Sequence, residues 1–160
     1  MFYIELTKDR FKFSVAHFTI LSPTQSERLH GHNYYLNLKF GFSELDKDLA
    51  LAVDMNLLKD IVQTACDKLD ERVLVAEKSP YLELHKDQGS LEIKFQKKVY
   101  RLPLEDVLLL PLTNISCEAL AEYLARELAL ALRGKVSVQR LTLQLSETRG
   151  QAAVYTTENP

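Results

Sequence analysis

The 160-residue sequence is poor in cysteine and has little excess charge, and both shortages narrow the classes of protein it can represent. Two cysteines, Cys66 and Cys117, do not make a disulfide framework, so a reducing cytoplasm is the simplest predicted location. The formal net charge of −2 gives no general reason to expect nucleic acid or an anionic membrane as a partner.

Long apolar runs and a basic, apolar leader are also missing. No apolar run approaches the roughly 18 residues that a membrane span needs. The first ten residues lack the basic start and apolar stretch of a signal peptide. Apolar content of 46% and charged content of 26% are ordinary for a globular protein. We therefore expect one domain over residues 1–160 with a core of its own.

Two segments near the N-terminus are predicted to be strands. The first covers residues 2–20 and places His17 on the same face as Phe13 and Val15. A polar loop over 21–29 leads to a second strand over 30–42, which alternates apolar and polar residues. One face of the second strand carries His30, His32, Tyr34, Leu36, Leu38 and Phe40. On both predicted strands the histidines therefore lie at one end of the row of side chains that faces the core.

The spacing of three histidines indicates a metal site. Residues i and i+2 of a strand point to one face, so His30 and His32 project two imidazoles side by side. His17 can supply a third from the neighbouring strand. Three neutral imidazoles with an open fourth position are typical of catalytic zinc. The alternative is that these are unrelated polar residues near a strand end. The fourth histidine, His85, is expected on the surface.

The rest of the chain mixes helices and strands and predicts an α+β domain. Asp54 and Ser116 are suited to cap two helices, and Gly134 to end the second. Short strands at 81–85 and 91–95 flank a turn signal at Asp87-Gln88-Gly89, and two further strands are predicted at 136–147 and 153–156. Residues from about 75 to 110 are predicted to be rich in short strands.

These motifs together resemble the 6-pyruvoyl-tetrahydropterin synthase / 6-carboxytetrahydropterin synthase family. The resemblance runs over most of the chain and rests on these blocks, in the family's order: Phe13–His17, His30–Tyr34, Val53–Lys59, Leu69–Asp70, Asn114–Glu118, and Glu147–Thr148 with Ala153–Tyr155. It implies the tunnelling fold, an antiparallel sheet with two helices on one face. It also implies that residues from about 75 to 110 are an inserted β segment, because this stretch is longer than the family's usual connection. It also implies a Zn²⁺ ion, a small-molecule pterin substrate and a homohexamer made of two trimers.

The resemblance also points to the acid–base residues. Family members use a cysteine at the position that Ser26 occupies here, and the next residue, Glu27, resembles the subgroup in which glutamate replaces that cysteine. The family's Leu-Asp-His becomes Leu69-Asp70-Glu71, so Asp70 and Glu71 are catalytic candidates although the relay histidine is missing. Three alternatives follow: Glu71 serves as the base instead, the relay is absent, or His85 returns an imidazole from the inserted segment. The alternative is that Glu27 is only a solvated charged residue in a loop.

Glu147 is the candidate anchor for the pterin ring, because a carboxylate can accept both neighbouring N–H donors of the 2-amino-4-oxo edge. The matching blocks add Ser116 and Thr148 as substrate-binding candidates. Alternatively, Glu147 is only the exposed last residue of its strand.

Three functions stay open at this point. The first is a zinc-dependent lyase that cleaves 7,8-dihydroneopterin, or its phosphate, to 6-hydroxymethyl-7,8-dihydropterin. The second is the family reaction on dihydroneopterin triphosphate, which gives 6-carboxytetrahydropterin or 6-pyruvoyl-tetrahydropterin. The third is a pterin- or purine-binding relative that keeps zinc without turnover.

Overall fold

The computed structural model describes residues 1–148 and 150–160, which form twelve strands and two α-helices. The strands are β1 Phe2–Leu6, β2 Lys12–His17, β3 Ile20–Ser22, β4 Gln25–Ser26, β5 His30–Phe42, β6 Arg72–Ala76, β7 Glu83–Asp87, β8 Ser90–Phe95, β9 Lys98–Pro103, β10 Val107–Leu110, β11 Arg140–Thr148 and β12 Gln151–Glu158. The helices are α1 Met55–Asp67 and α2 Cys117–Leu132. The predicted α+β class is confirmed.

The main sheet is built around the 13-residue strand β5. Its strand order is β10-β6-β2-β5-β11-β12, and β1 pairs with the second half of β5 beyond the end of β2. Most strand pairs are antiparallel, as predicted, but β6 runs parallel to β2 and β10 runs parallel to β6. The sheet is therefore mixed, with the parallel strands at one edge.

The core lies between one face of this sheet and the two helices. On β5 the alternate residues Tyr34, Leu36, Leu38 and Phe40 are buried, which confirms the period of two. Helix α1 contributes Leu58, Val62 and Cys66 at intervals of four residues, as a helix packed along one side requires. Neither helix of the described residues is long and apolar enough to cross a membrane.

The predicted helix ends are confirmed. The side chain of Asp54 accepts a hydrogen bond from the backbone N–H of Asn56, and the Ser116 side chain accepts one from Ala119. Gly134 follows α2 with φ of +75°, a conformation that costs glycine little.

The predicted inserted β segment contains a three-stranded antiparallel sheet, β7 to β9, whose first turn lies at Gln88 and Gly89. This sheet packs on a second apolar cluster that includes Phe18, Val75, Leu91 and Ile93. The flanking parts of the predicted segment, β6 and β10, belong instead to the main sheet.

Several predicted strand limits are wrong. The first strand, expected over 2–20, is interrupted between Leu6 and Lys12 by a turn in which the N–H of Phe11 bonds to the carbonyl of Lys8. The loop expected over 21–29 contains the β3–β4 hairpin. The strand expected from residue 136 begins only at Arg140.

Candidate metal centre

The three predicted histidines come together at one end of the main sheet. His17 and His30 are direct cross-strand partners in the β2–β5 pair, and His32 follows two residues later on the same face of β5. Glu147, on the neighbouring strand β11, joins them. Each of the four residues offers one ligand atom, and these atoms all lie within 4.8 Å of one another.

The distances within this group are short. His30 Nε2 lies 2.8 Å from His32 Nε2, and His32 Nε2 lies 2.9 Å from Glu147 Oε1. His17 Nε2 is 3.9 Å from the same carboxylate oxygen. Imidazole nitrogens and a carboxylate oxygen are the donors that Zn²⁺ and related divalent ions prefer. The residues present therefore fit a metal ion.

The outer ring nitrogens of two histidines are held by backbone carbonyls. His17 Nδ1 lies 3.1 Å from the carbonyl oxygen of Ile115, and His30 Nδ1 lies 2.7 Å from that of Arg28. A carbonyl can only accept, so each Nδ1 carries the proton and each Nε2 presents a lone pair to the centre of the group. This second layer of hydrogen bonds is typical of metal-binding histidines.

Burial keeps the innermost histidine neutral. The side chain of His17 is 1% exposed, and this burial lowers its pKa below the ordinary value, although the Ile115 carbonyl opposes the shift. A neutral imidazole is the form that binds a metal. Tyr34 lies beside His17 in this buried part of the site. Its hydroxyl lies 3.2 Å from His17 Nε2 and 3.5 Å from Glu147 Oε1, and burial raises its pKa.

Glu147 occupies an irregular position at the end of β11. The pairing of β11 with β12 shifts register between Ser146 and Thr148, and a β-bulge of this kind re-aims a side chain. The Glu147 side chain is 27% exposed and lines a cavity of about 240 Å³ together with Cys117, Glu118 and Gln151. It thus contacts both the histidine group and an open cavity, which disfavours the alternative of a merely exposed strand end.

Glu27 lies at the rim of the histidine group. Its Oε2 accepts a hydrogen bond from the backbone N–H of Thr19 at 3.1 Å and lies 4.0 Å from His30 Nε2. Partial burial would raise the pKa of Glu27, but the Thr19 hydrogen bonds and the nearby imidazoles outweigh it and lower the pKa. The carboxylate is therefore ionised near neutral pH and directed towards the centre, unlike a solvated loop charge.

Ser26, at the position of the family's cysteine, has its hydroxyl occupied. Ser26 Oγ donates to the carbonyl of Glu27 at 3.1 Å and accepts from Lys98 Nζ at 2.8 Å. A hydroxyl that donates to a backbone carbonyl, with no hydrogen bond to a carboxylate or an imidazole among the described residues, is poorly suited to be a nucleophile.

Asp70 and Glu71 are not part of the histidine group. Asp70 Oδ1 accepts a hydrogen bond from the backbone N–H of Ser14 at 2.7 Å, and the N–H of Glu71 donates to the Ser14 carbonyl at 2.7 Å. Glu71 has φ of +57° and lines a separate cavity of about 490 Å³ that His32 also borders. These bonds extend the pairing of β2, so the structure explains both residues by their part in the sheet.

Ser116 and Thr148 are placed near the site but are already bonded. Ser116 caps α2, and Thr148 Oγ1 donates to Gln151 Oε1 at 3.2 Å. Their substrate-binding role stays a prediction. Cys117 Sγ donates to the Leu145 carbonyl at 3.3 Å, and burial raises the pKa of its thiol. His85 is exposed on β7, as expected.

Sequence reasoning missed four contributors to the site: Tyr34, Thr19, the Ile115 carbonyl and Lys98. Tyr34 could have been found, because it follows His32 by two residues on the same face of β5. The other three act through contacts between residues 8 to 98 positions apart, which no local pattern indicates.

Comparison with known families and proteins agrees with this geometry. The profile of the family described as 6-pyruvoyl tetrahydropterin synthase matches residues 5–158. A relative from Methanocaldococcus jannaschii, provisionally named 6-carboxy-5,6,7,8-tetrahydropterin synthase, is 32% identical over 146 residues, which cover 90% of this chain and 88% of the relative.

Solved structures show the same fold. The chain resembles the 6-pyruvoyl tetrahydropterin synthase of Plasmodium falciparum with a TM-score of 0.89 and 25% identity, over 98% of each chain. A Plasmodium vivax 6-pyruvoyltetrahydropterin synthase, solved as a variant in which alanine replaces a catalytic-residue glutamate, matches with a TM-score of 0.89 and 23% identity over 98% of each chain. The predicted tunnelling fold is confirmed.

Proposed function

The chain belongs to the 6-pyruvoyl tetrahydropterin synthase family, and we propose that it is a zinc-dependent pterin lyase. Its proposed substrate is 7,8-dihydroneopterin or a phosphate of it, and its product is 6-hydroxymethyl-7,8-dihydropterin. The observation that carries this proposal is the carboxylate of Glu27, 4.0 Å from the nearest of three converging imidazoles and adjacent to a serine, whose hydroxyl is a far poorer nucleophile than a thiolate.

In this proposal His17, His30 and His32 hold the metal through their Nε2 atoms. A bound Zn²⁺ ion would polarise the hydroxyls of the substrate side chain and stabilise developing negative charge. Glu147 would then leave the fourth position open, as catalytic zinc requires, and use its carboxylate for the pterin ring. The cavity that Glu147 lines with Cys117 supports this division of roles.

Glu27 is the proposed general base. It would accept the proton of the hydroxyl on the second side-chain carbon of dihydroneopterin. The bond between the first and second side-chain carbons then breaks, and the outer fragment leaves as an aldehyde. The electron pair stays on the pterin-linked carbon, which takes a proton and becomes the hydroxymethyl group. A glutamate described as a catalytic residue in the Plasmodium vivax protein supports a carboxylate in such a role.

A second candidate is the reaction on dihydroneopterin triphosphate that gives 6-carboxytetrahydropterin or 6-pyruvoyl-tetrahydropterin. The name of the Methanocaldococcus jannaschii relative favours it. The hydrogen bonds of the Ser26 hydroxyl disfavour it, since Ser26 would have to take the role that the cysteine thiolate has in the family. The third candidate, a zinc-containing pterin- or purine-binding protein without turnover, is favoured by the bonding of Asp70 and Glu71 to strand β2.

One experiment separates the three candidates. The purified protein, loaded with zinc, is incubated with 7,8-dihydroneopterin and, separately, with its triphosphate, and the products are identified by mass. We expect 6-hydroxymethyl-7,8-dihydropterin. A 6-carboxy or 6-pyruvoyl product would support the second candidate, and pterin binding with no product from either substrate would support the third.

We also propose that the chain assembles as a homohexamer of two trimers. Strands β10 and β12 end the main sheet on its two sides, and edge strands are commonly covered by another chain. Light scattering coupled to size-exclusion chromatography tests this, and a monomer at micromolar concentration would contradict it.

A further inference from the structure

The β7–β9 sheet reaches the candidate base through one side chain. Lys98 Nζ lies 2.8 Å from Ser26 Oγ, 3.0 Å from the Ser26 carbonyl oxygen and 3.0 Å from the Glu27 carbonyl oxygen. An ammonium group has three N–H donors, so these acceptors match its full capacity. One lysine thus binds both residues of the Ser26–Glu27 segment.

The acceptors are all uncharged. Among the described residues no carboxylate lies within salt-bridge distance of Lys98, although its side chain is half-buried. Hydrogen bonds that involve a charged donor are stronger than neutral ones. Lys98 is therefore suited to hold the backbone at this point rather than to pair with a surface charge.

The neighbouring residues of the same sheet make further contacts with the β3–β4 hairpin and its approach. Gln96 Nε2 donates to the Pro23 carbonyl at 3.0 Å, and the Tyr100 ring stacks on Phe18 with their centroids 5.5 Å apart. These contacts hold the β8–β9 end of the sheet against the hairpin that carries Ser26. The backbone of Lys98 is therefore fixed relative to that hairpin.

The Ser26–Glu27 segment is also held by Thr19. The N–H of Glu27 donates to the Thr19 carbonyl at 2.9 Å, and the N–H of Thr19 donates to Glu27 Oε2 at 3.1 Å. The carboxylate keeps its place near His30 only while the Glu27 backbone keeps its distance from Thr19. Lys98 binds the Glu27 backbone at its carbonyl oxygen, whereas Thr19 binds it at its N–H.

We propose that Lys98 is a positioning residue, through which the β7–β9 sheet fixes the Ser26–Glu27 segment and so directs the Glu27 carboxylate towards the histidine group. The catalytic consequence rests on the proposed function of Glu27 as the base. The structural part does not, because it concerns only the contacts of the hairpin.

The test compares Lys98→Met with Lys97→Met. The second variant is a matched control, since Lys97 is the preceding residue, carries the same charge and is exposed, and its side chain makes no hydrogen bond to another described residue. Hydrogen–deuterium exchange of residues 18–29 reports on the amides of Thr19 and Glu27. We expect exchange there to be about tenfold faster in Lys98→Met than in Lys97→Met, because hydrogen bonds from a charged group are lost. Exchange in β5 should stay unchanged.

Steady-state kinetics give a second reading. Lys98→Met should lower kcat by about tenfold with little change in KM, since a misdirected base weakens the transition state more than substrate binding. Lys98→Arg keeps the charge and the donors and should recover most of kcat. If Lys98→Met does not fold, Gln96→Ala removes the adjacent contact and should show the same changes at smaller size.

Each outcome bears on the proposal. Exchange that is equal in the Lys98→Met and Lys97→Met variants overturns the anchoring role of Lys98. Faster exchange with unchanged kcat overturns its effect on Glu27. Faster exchange in a protein whose wild type yields no pterin product supports the anchoring role while removing the lyase function, so the two failures are distinguishable.

Discussion

The Nδ1 atom of His17 lies 3.1 Å from the carbonyl oxygen of Ile115, two residues before the first turn of helix α2. This hydrogen bond joins the end of strand β2 to the segment just before α2, between residues 98 positions apart in the chain. The same carbonyl accepts the hydroxyl of Thr19 at 3.1 Å. The segment before α2 therefore fixes both the orientation and the tautomer of the most buried imidazole.

The first prediction concerns the metal. His32→Ala should lower bound zinc far below one ion per chain after dialysis, because it removes the imidazole that lies nearest to both His30 and Glu147. Elemental analysis of the purified protein measures this. His85→Ala is the matched control, since it removes an exposed imidazole on β7 and should leave the zinc content unchanged. Stoichiometric zinc in His32→Ala, bound as tightly as in wild type, would exclude the three-histidine site.

The second prediction concerns pH and the metal-free protein. Burial lowers the pKa of His17 in the folded state below 6.5, so the unfolded state binds more protons below that pH. The contribution of His17 to the free energy of unfolding is therefore complete above about pH 6.5 and declines as the pH falls below it.

Denaturant unfolding of chelator-treated protein at neutral and mildly acidic pH measures this effect. Wild type should lose more stability on acidification than His17→Gln, which keeps a hydrogen-bonding amide but does not titrate. Equal losses in the two proteins would show that His17 is not held neutral by burial.

Local patterns were enough to predict the elements whose residues alternate or repeat on one face. The predicted limits of strand β5 are confirmed, because its residues alternate from His30 to Phe40. Helices α1 and α2 begin directly after residues suited to cap them. Strands β6 and β10 were missed because they are apolar runs, Val73–Ala76 and Val107–Leu110, with no alternation. Parallel strands that are covered on both faces typically have such continuous apolar sequences, so the period of two does not identify them.

The site was predictable only where neighbouring strands brought the residues together. His17, His30 and His32 come from one hairpin-like pair, so parity alone indicated their convergence. Their meeting with Glu147 depends on the register of β11 against β5, across more than one hundred residues of chain. The contact of Lys98 with Ser26 depends likewise on how one sheet docks on another.

The third prediction concerns the pterin anchor. Glu147→Gln keeps the shape of the side chain but replaces one acceptor oxygen with a donor, so pterin binding should weaken at least tenfold, or by about 1.4 kcal/mol or more. Isothermal titration with a pterin measures the affinity. Glu122→Gln, which alters an exposed ion pair with Arg126 on α2, is the control and should bind normally.

The metal content of Glu147→Gln separates the two roles that its position allows. Retained zinc with weakened pterin binding supports the anchor. Lost zinc would identify Glu147 as a fourth metal ligand, which its 2.9 Å contact with His32 also permits. Unchanged affinity for pterin would remove Glu147 from the substrate site.

The last prediction concerns the base. Glu27→Ala should lower the rate of 6-hydroxymethyl-7,8-dihydropterin formation by about 10²–10⁴-fold, the usual contribution of a general base. Zinc content and pterin affinity should stay intact, because the Glu27 carboxylate lies 4.0 Å from His30 Nε2, at the rim of the group. Product formation is followed by mass, and both binding properties are measured on the same preparation.

Glu71→Ala provides the comparison that decides between the two acidic segments. Its side chain lies outside the group formed by the histidines and Glu147, so its loss should have less effect on turnover than the loss of Glu27. If Glu27→Ala is silent and Glu71→Ala is inactive, the base lies on the Asp70–Glu71 segment. In that case the cavity that Glu71 and His32 share, rather than the rim at Glu27, would be where the proton is taken. A loss much below tenfold in Glu27→Ala would make Glu27 only a neighbour of the reacting atoms.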